Sequence, residues 1–236
     1  MTTTAEPLAG AGALWLTPAV VHRLAVVVRL VDAFTGAVVR ERFDVRLVGH
    51  EWWTPIFRAT DATYRFKVTN APVPALGATP VRVTPLAVPT TYRDLGGLSV
   101  TIPRPGPPPV PLVAGYYLVD HELWPTWAFR PPPGETFVAG RVVRAGRPVA
   151  DQRVRAATSA AALPAAPAAP TDADGQFVYR LPGLRVSAAT PGTVVDSAGL
   201  FFAVSDSGGA AQALAAPALP VTVRLGRPFP VTLDLV

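Results

Sequence analysis

Cysteine is absent from this chain, methionine occurs once, and of the 21 basic residues only Lys67 is a lysine. Without cysteine there is no disulfide, no thiolate ligand for a metal and no cysteine nucleophile. Small secreted domains lean on disulfides, so the absence tilts toward an intracellular origin, although exported bacterial β domains also do without them. Charge is sparse at 16 % of residues, and no run of like charge occurs. Nucleic-acid binders gather Lys and Arg on one face or in one stretch. Here arginine is scattered singly, as in Val26-Val27-Val28-Arg29-Leu30-Val31. The formal net charge of +5 therefore reads as arginine on the solvent faces of strands, with an acidic partner surface as the alternative. No nucleic-acid partner is expected.

Long apolar runs are missing too. Trp15 to Val31 is broken by Pro18, His22, Arg23 and Arg29, short of the roughly 20 apolar residues of a membrane helix. Met1 to Leu14 lacks the basic start of a signal peptide. The expectation is a soluble chain with no membrane insertion and no signal peptide, cytoplasmic or carried in a released particle.

Catalytic motifs are equally scarce. The histidines are His22, His50 and His121, two of them in His-Glu pairs. A zinc-peptidase helix needs His-Glu-x-x-His, which puts both imidazoles on one face. After His121-Glu122 the chain runs Leu123-Trp124-Pro125, with proline where the second histidine belongs. Asp172-Ala173-Asp174-Gly175 lacks the later ligands and closing glutamate of an EF-hand and reads as a turn. Ser205-Asp206-Ser207-Gly208-Gly209 is no Gly-x-Ser-x-Gly elbow and reads as a hairpin loop. No phosphate-cradling glycine loop with its lysine occurs. No enzyme, cofactor or metal site is expected.

What is abundant is punctuation. With 28 prolines and 19 glycines among 236 residues, half of them hydrophobic, long helices are excluded and short strands joined by turns are favoured. Phe43-Asp44-Val45-Arg46-Leu47 alternates with period two, placing Phe43, Val45 and Leu47 on one face of a strand. Tyr64 to Val68, Val81 to Val83, Leu98 to Ile102, Thr136 to Val143, Gln152 to Ala157, Gln176 to Leu181, Leu200 to Val204, Val221 to Leu225 and Val231 to Val236 follow. Short strands at such spacing predict an all-β protein of two tandem immunoglobulin/transthyretin-like β-sandwich domains joined by a Pro-rich linker.

The division expected is an N-terminal tail (1–18), a first sandwich (19–102), a Pro- and aromatic-rich bridge (103–133) and a second sandwich (134–236). Pro103 to Pro111 has the composition of a polyproline II spacer. Ser159 to Pro170 is an Ala/Pro-rich insert, expected as a mobile loop. The halves share a weak repeat: Thr60-Asp61-Ala62 and Thr171-Asp172-Ala173 each precede an aromatic strand. Duplication of one sandwich and chance likeness of two β domains both explain it.

The segments Val138-Ala139-Gly140-Arg141-Val142-Val143, Gly146-Arg147-Pro148-Val149, Thr171-Asp172-Ala173-Asp174-Gly175-Gln176-Phe177 and Leu181-Pro182-Gly183-Leu184 resemble, in that order, the carboxypeptidase regulatory-like (transthyretin-like) domain family. The resemblance spans about residues 134–190 and implies a sandwich with no activity of its own. The Ala/Pro insert departs from the shorter loop usual in that family. The first half looks like the same superfamily more weakly, through Val28 to Gly36. Two-domain chains of this kind are similar to accessory proteins of phage-tail-like contractile injection systems, which implies a non-enzymatic structural or adaptor subunit whose partners are other protein subunits.

Aromatic residues carry the remaining signal. Trp52 and Trp53 are adjacent, so on a strand they would point to opposite faces, one in the core and the other exposed. Tyr116, Tyr117, Trp124 and Trp127 lie in the expected bridge. Tryptophan and tyrosine are enriched at interaction hot spots, stack on sugars and fill cores. These six residues are the candidates for contact with a protein partner, with a carbohydrate- or cell-surface-binding module as the alternative function.

Overall fold

The computed structural model describes residues 23–68, 78–101, 118–184, 187–190, 193–195, 197–217 and 219–236. In the N-terminal half the strands are β1 (Arg23–Asp32), β2 (Phe43–Leu47), β3 (Ile56–Arg58), β4 (Thr63–Val68), β5 (Ala78–Pro85), β6 (Tyr92–Arg93), β7 (Ser99–Thr101) and β8 (Leu118–Pro125). They form two sheets, β3-β4-β1-β8-β6 and β2-β5-β7. The alternation read in the sequence decides which side chains go inside. Phe43, Val45 and Leu47 of β2 and Val81 and Val83 of β5 meet Val26, Val28 and Leu30 of β1 and Tyr64 and Phe66 of β4 in one buried cluster. Two sheets facing each other across one core make a sandwich.

The second half repeats the plan. Its strands are β9 (Thr136–Arg144), β10 (Arg147–Pro148), β11 (Arg153–Ala157), β12 (Ala169–Pro170), β13 (Gln176–Leu181), β14 (Ser187–Thr190), β15 (Thr193–Val195), β16 (Ser197–Ser205), β17 (Ala211–Gln212), β18 (Leu214–Ala216), β19 (Val221–Arg224) and β20 (Pro228–Leu235). One sheet runs β10-β9-β20-β18, with β13 also on β9; the other runs β12-β11-β16-β17, with β19 also on β16. β14 and β15 pair as a separate hairpin. Val138, Val142, Phe177, Tyr179, Leu233 and Leu235 from the first sheet bury against Val154, Ala156, Leu200, Phe202, Val204 and Val223 from the second.

The two halves share a topology. In each, the first strand pairs antiparallel with the strand after the Thr-Asp-Ala turn (β1 with β4, β9 with β13). On its other side each first strand takes the last strand of its unit in parallel (β8 and β20). The opposite sheets correspond as well: β2-β5-β7 matches β11-β16-β19. The weak sequence repeat thus marks equivalent places in two sandwiches of one design.

Two expectations change. The segment read as a bridge does not all lie outside the sandwiches: Leu118–Pro125 is β8, a strand of the first sandwich, hydrogen-bonded in parallel to β1. Its alternation was masked by the aromatic content, but His121, Leu123 and Pro125 are buried while Leu118, Asp120 and Glu122 are exposed. The Ala/Pro insert is not a mobile loop. It folds into a 3-10 helix, Ala160–Ala165, followed by β12. Arg155 Nε donates to Ala166 O at 3.2 Å and Tyr179 Oη to Pro167 O at 3.0 Å, so backbone carbonyls of the insert are held by side chains of the core sheets.

Two glycines of the family-like motifs have specific physical causes. A Cβ on Gly140 would lie 2.5 Å from the Phe177 ring and 2.8 Å from Val231; the strand is bare there because the ring covers it. Gly175 takes φ +67°, and a Cβ would stand 2.6 Å from Val142 O. Its turn is tied by Asp172 Oδ1, which accepts from Asp174 N at 3.0 Å and Gln176 N at 2.7 Å.

The sandwiches meet around a buried arginine. Val178 and Arg180 lie on the face of β13 opposite Phe177 and Tyr179, yet all four are buried. Arg180 Nε and Nη2 donate to Glu135 Oε1 and Oε2 at 2.6 and 2.8 Å, and Nη1 donates across the junction to Asp32 Oδ2 at 2.6 Å. The guanidinium carbon lies 4.7 Å from the centre of the Phe129 ring. Tyr92 Oη donates to Asp32 Oδ2 at 2.9 Å, while Phe34 N and Thr35 N each donate to Asp32 Oδ1 at 3.0 Å. Burial works against the Arg180 charge, but Glu135 and Asp32 outweigh it and hold its pKa above the ordinary arginine value. Burial, with the Asp32 carboxylate beside it, pushes the Tyr92 phenol up. Phe34 of the first sandwich packs edge-on to Tyr179 and Trp124, at 4.8 and 5.3 Å between ring centres.

Among the described residues no helix is long and apolar enough to cross a membrane. Two stability outcomes follow. Arg180→Ala leaves Asp32 and Glu135, with side chains 2 % and 7 % exposed, buried without their cation, and denaturant unfolding should show a loss of about 3–5 kcal/mol. Gly140→Ala forces the Phe177 ring aside and should cost about 1–3 kcal/mol in the same assay.

Candidate functional site

Trp52 and Trp53 occupy a turn between β2 and β3 rather than a strand, so the expectation of opposite faces does not hold. Both rings lie on one side, stacked with centres 6.1 Å apart and planes at 14°. Trp53 is 7 % exposed, packs edge-on to Phe66 and donates Nε1–H to Lys67 O at 2.8 Å. Trp52 is 72 % exposed and touches the His50 ring edge-on. The inner tryptophan is core, and the outer one stacks on it while most of its surface stays open to solvent. Val48 and Ile56, close by in sequence, are exposed as well. The turn's charged side chains are used inside the chain: Arg46 bonds Asp44, Glu51 O and Thr54, and Glu51 Oε1 accepts from Gly49 N.

The other aromatic candidates separate. Trp124, on β8, packs on Phe34 beside the second core and is a junction residue. Trp127, just beyond β8, is 51 % exposed. Tyr116 and Tyr117 lie outside the described residues.

Between the sandwiches opens a cleft of about 830 Å³ that no linear pattern of residues marks. One wall carries Asp120, His121 and Glu122 of β8, the other Arg153 and Arg155 of β11, and the glycine turns at 96–97 and 208–209 form its rims. His121 Nε2 lies 2.7 Å from Asp94 Oδ1, and the two side chains are each 10 % exposed. Burial alone would raise the Asp94 pKa, but bonds from His121 and from Gly96 N–H, together with the His121 charge, hold it below the ordinary carboxylate value. Among the described residues no hydroxyl is hydrogen-bonded to His121, and no group of three or more His, Cys, Asp or Glu gathers to hold a metal. The pair tethers β8 to the loop that begins at Asp94. At the rim, Asp206 Oδ1 accepts from Ala210 N at 2.8 Å and closes the β16–β17 hairpin.

A depressed carboxylate pKa stabilises the fold above the unfolded value, and the contribution is lost as pH falls through the folded one. Asp94→Asn should therefore lower stability by about 1.5–3 kcal/mol at pH 7. The gap from the parent should close in melts taken well below the ordinary value of 3.8.

No family model and no curated protein matches the chain. Among solved structures it is similar to a DUF3823 family protein from Parabacteroides merdae, at 16 % identity over 44 % of this chain and 47 % of that one, with a TM-score of 0.25. The chain thus spans about half the length of that protein.

Proposed function

We propose that this protein is a non-enzymatic structural or adaptor subunit that docks in a larger protein assembly. The observation that carries the reading is Trp52, a large aromatic ring 72 % exposed yet pinned by its stack on a buried, hydrogen-bonded Trp53. An exposed tryptophan already held in place loses little freedom on contact and is the residue type that dominates interface hot spots. Arg46 and Glu51 beside it are bonded within the chain, which favours an apolar contact at the ring itself. The buried Arg180 junction supports the same reading, because a subunit must present its surfaces at a fixed angle. A phage-tail-like contractile injection particle is the assembly suggested by the likeness of the two-sandwich plan to accessory proteins of such particles.

Gradient sedimentation of native lysate, with mass spectrometry of the fractions holding this chain, tests it. Co-migration with a large particle supports the reading and names the machine; migration near 24.8 kDa with no partner overturns it. Trp52→Ala should keep the parent's melting temperature and weaken docking by about 30-fold, the equivalent of a 2 kcal/mol hot spot.

A further inference from the structure

We infer that the shallow groove beside Trp127 is a binding site for a sugar ring of a glycan, with acidic sugars preferred. The groove holds about 320 Å³ and lies on the outer face of the sheet made by β13, β9 and β20, on the second sandwich. Register sets its layout. Gln176 of β13 stands directly opposite Arg141 of β9, and Thr232 of β20 stands beside Arg141 on the other side. Neighbours in register share a face of the sheet. Three hydrogen-bonding side chains therefore form one row across three adjacent strands, each about 4.8 Å from the next. The neighbouring level is apolar: Ala139 of β9 is paired with Pro230 of β20. Small side chains at that level leave the floor low, and Trp127 stands at the edge.

This polarity matches a pyranose. Its C–H face stacks on an indole ring while its hydroxyls, around the rim, need donors and acceptors to one side. Trp127 is placed for this before any ligand arrives. Its turn is tied by Thr126 N to Thr91 O and Phe129 N to Thr126 O, both at 2.9 Å. It is anchored further by Phe129 beneath the Arg180 guanidinium.

The polar row is unspent. The side chains of Arg141, Gln176 and Thr232 and the Trp127 indole N–H form no hydrogen bond or ion pair with the described residues. Among the described residues Arg141 is the one charged group lining the groove and no carboxylate is paired with it, so a uronic or other acidic sugar gains a charge-assisted bond that a neutral one lacks. The contrast with Trp52 is chemical. There Arg46 and Glu51 are bonded within the chain and Val48 and Ile56 are exposed nearby; at Trp127 the polar row is free and a hydroxyl-rich ligand fits. The inference does not depend on the assembly reading.

The test titrates the full chain with uronate-containing and neutral oligosaccharides and reads tryptophan fluorescence and calorimetry. Saturable binding, tighter for the acidic series, is expected. Trp127→Ala should weaken it by at least tenfold, roughly the 1.4 kcal/mol expected of an aromatic stack. Arg141→Leu should remove the acidic preference while neutral sugars still bind, and Trp52→Ala should bind as the parent does. Binding by Trp127→Ala at parental strength overturns the site. So does the absence of saturation with every oligosaccharide up to about 10 mM. A Trp127→Ala variant that binds no worse to glycan but loses a protein partner assigns the groove to protein contact instead.

Discussion

Arg180 makes one body of the two sandwiches. Removing an ion from water costs several kcal/mol, and the cost is met only when partners surround it. Here the guanidinium has two carboxylates and an aromatic face, and the carboxylate that comes from the first sandwich, Asp32, is itself bonded by Tyr92 and by the turn that follows it. None of these groups can leave the junction without stranding another. Exposed pairs such as Arg29 with Asp120 are worth at most about 1 kcal/mol and set no geometry. The burial of β13 on both faces, the placement of the turn bearing Trp127 and the seating of Phe34 on the second core all follow from this contact.

The shared topology gives the two units separate tasks without a change of plan. In the first, the loop between the second and third strands carries the stacked tryptophans. In the second, the corresponding connection holds the Ala/Pro insert, which lies on the surface with its carbonyls bonded by Arg155 and Tyr179 of the sheets. The face of the second sandwich covered at one end by the first remains open at the other, and the groove lies where cover stops.

Much of the scaffold was legible in the sequence because strands with one buried face write themselves as alternation: Phe43, Val45 and Leu47 are inside as read, and the Asp172 turn closes on its own backbone. The failures have physical causes. β8 pairs in parallel with a strand far away in sequence, and its aromatic and proline content resembled a spacer. The Ala/Pro insert is low in complexity, but its order comes from Arg155 and Tyr179, which lie elsewhere. Arg180 looked like any outward arginine on a strand, since only docking of the other sandwich makes it a core residue. Trp52 and Trp53 were legible as candidates, but their stacking depends on a turn geometry that composition does not encode. The Trp127 groove needs the register of three strands, which no linear pattern gives.

The parallel pairing of first and last strands has a mechanical side. In the second sandwich β9 and β20 run alongside each other from Phe137 and Pro228 to Arg144 and Leu235. Tension applied between the start of β9 and the end of β20 pulls these neighbours lengthwise past each other. The rungs between them are then loaded together in shear, rather than opened one by one as in a hairpin pulled from its ends. The first sandwich places β1 and β8 in the same relation. A chain built this way resists stretching along its own axis, whatever it is attached to.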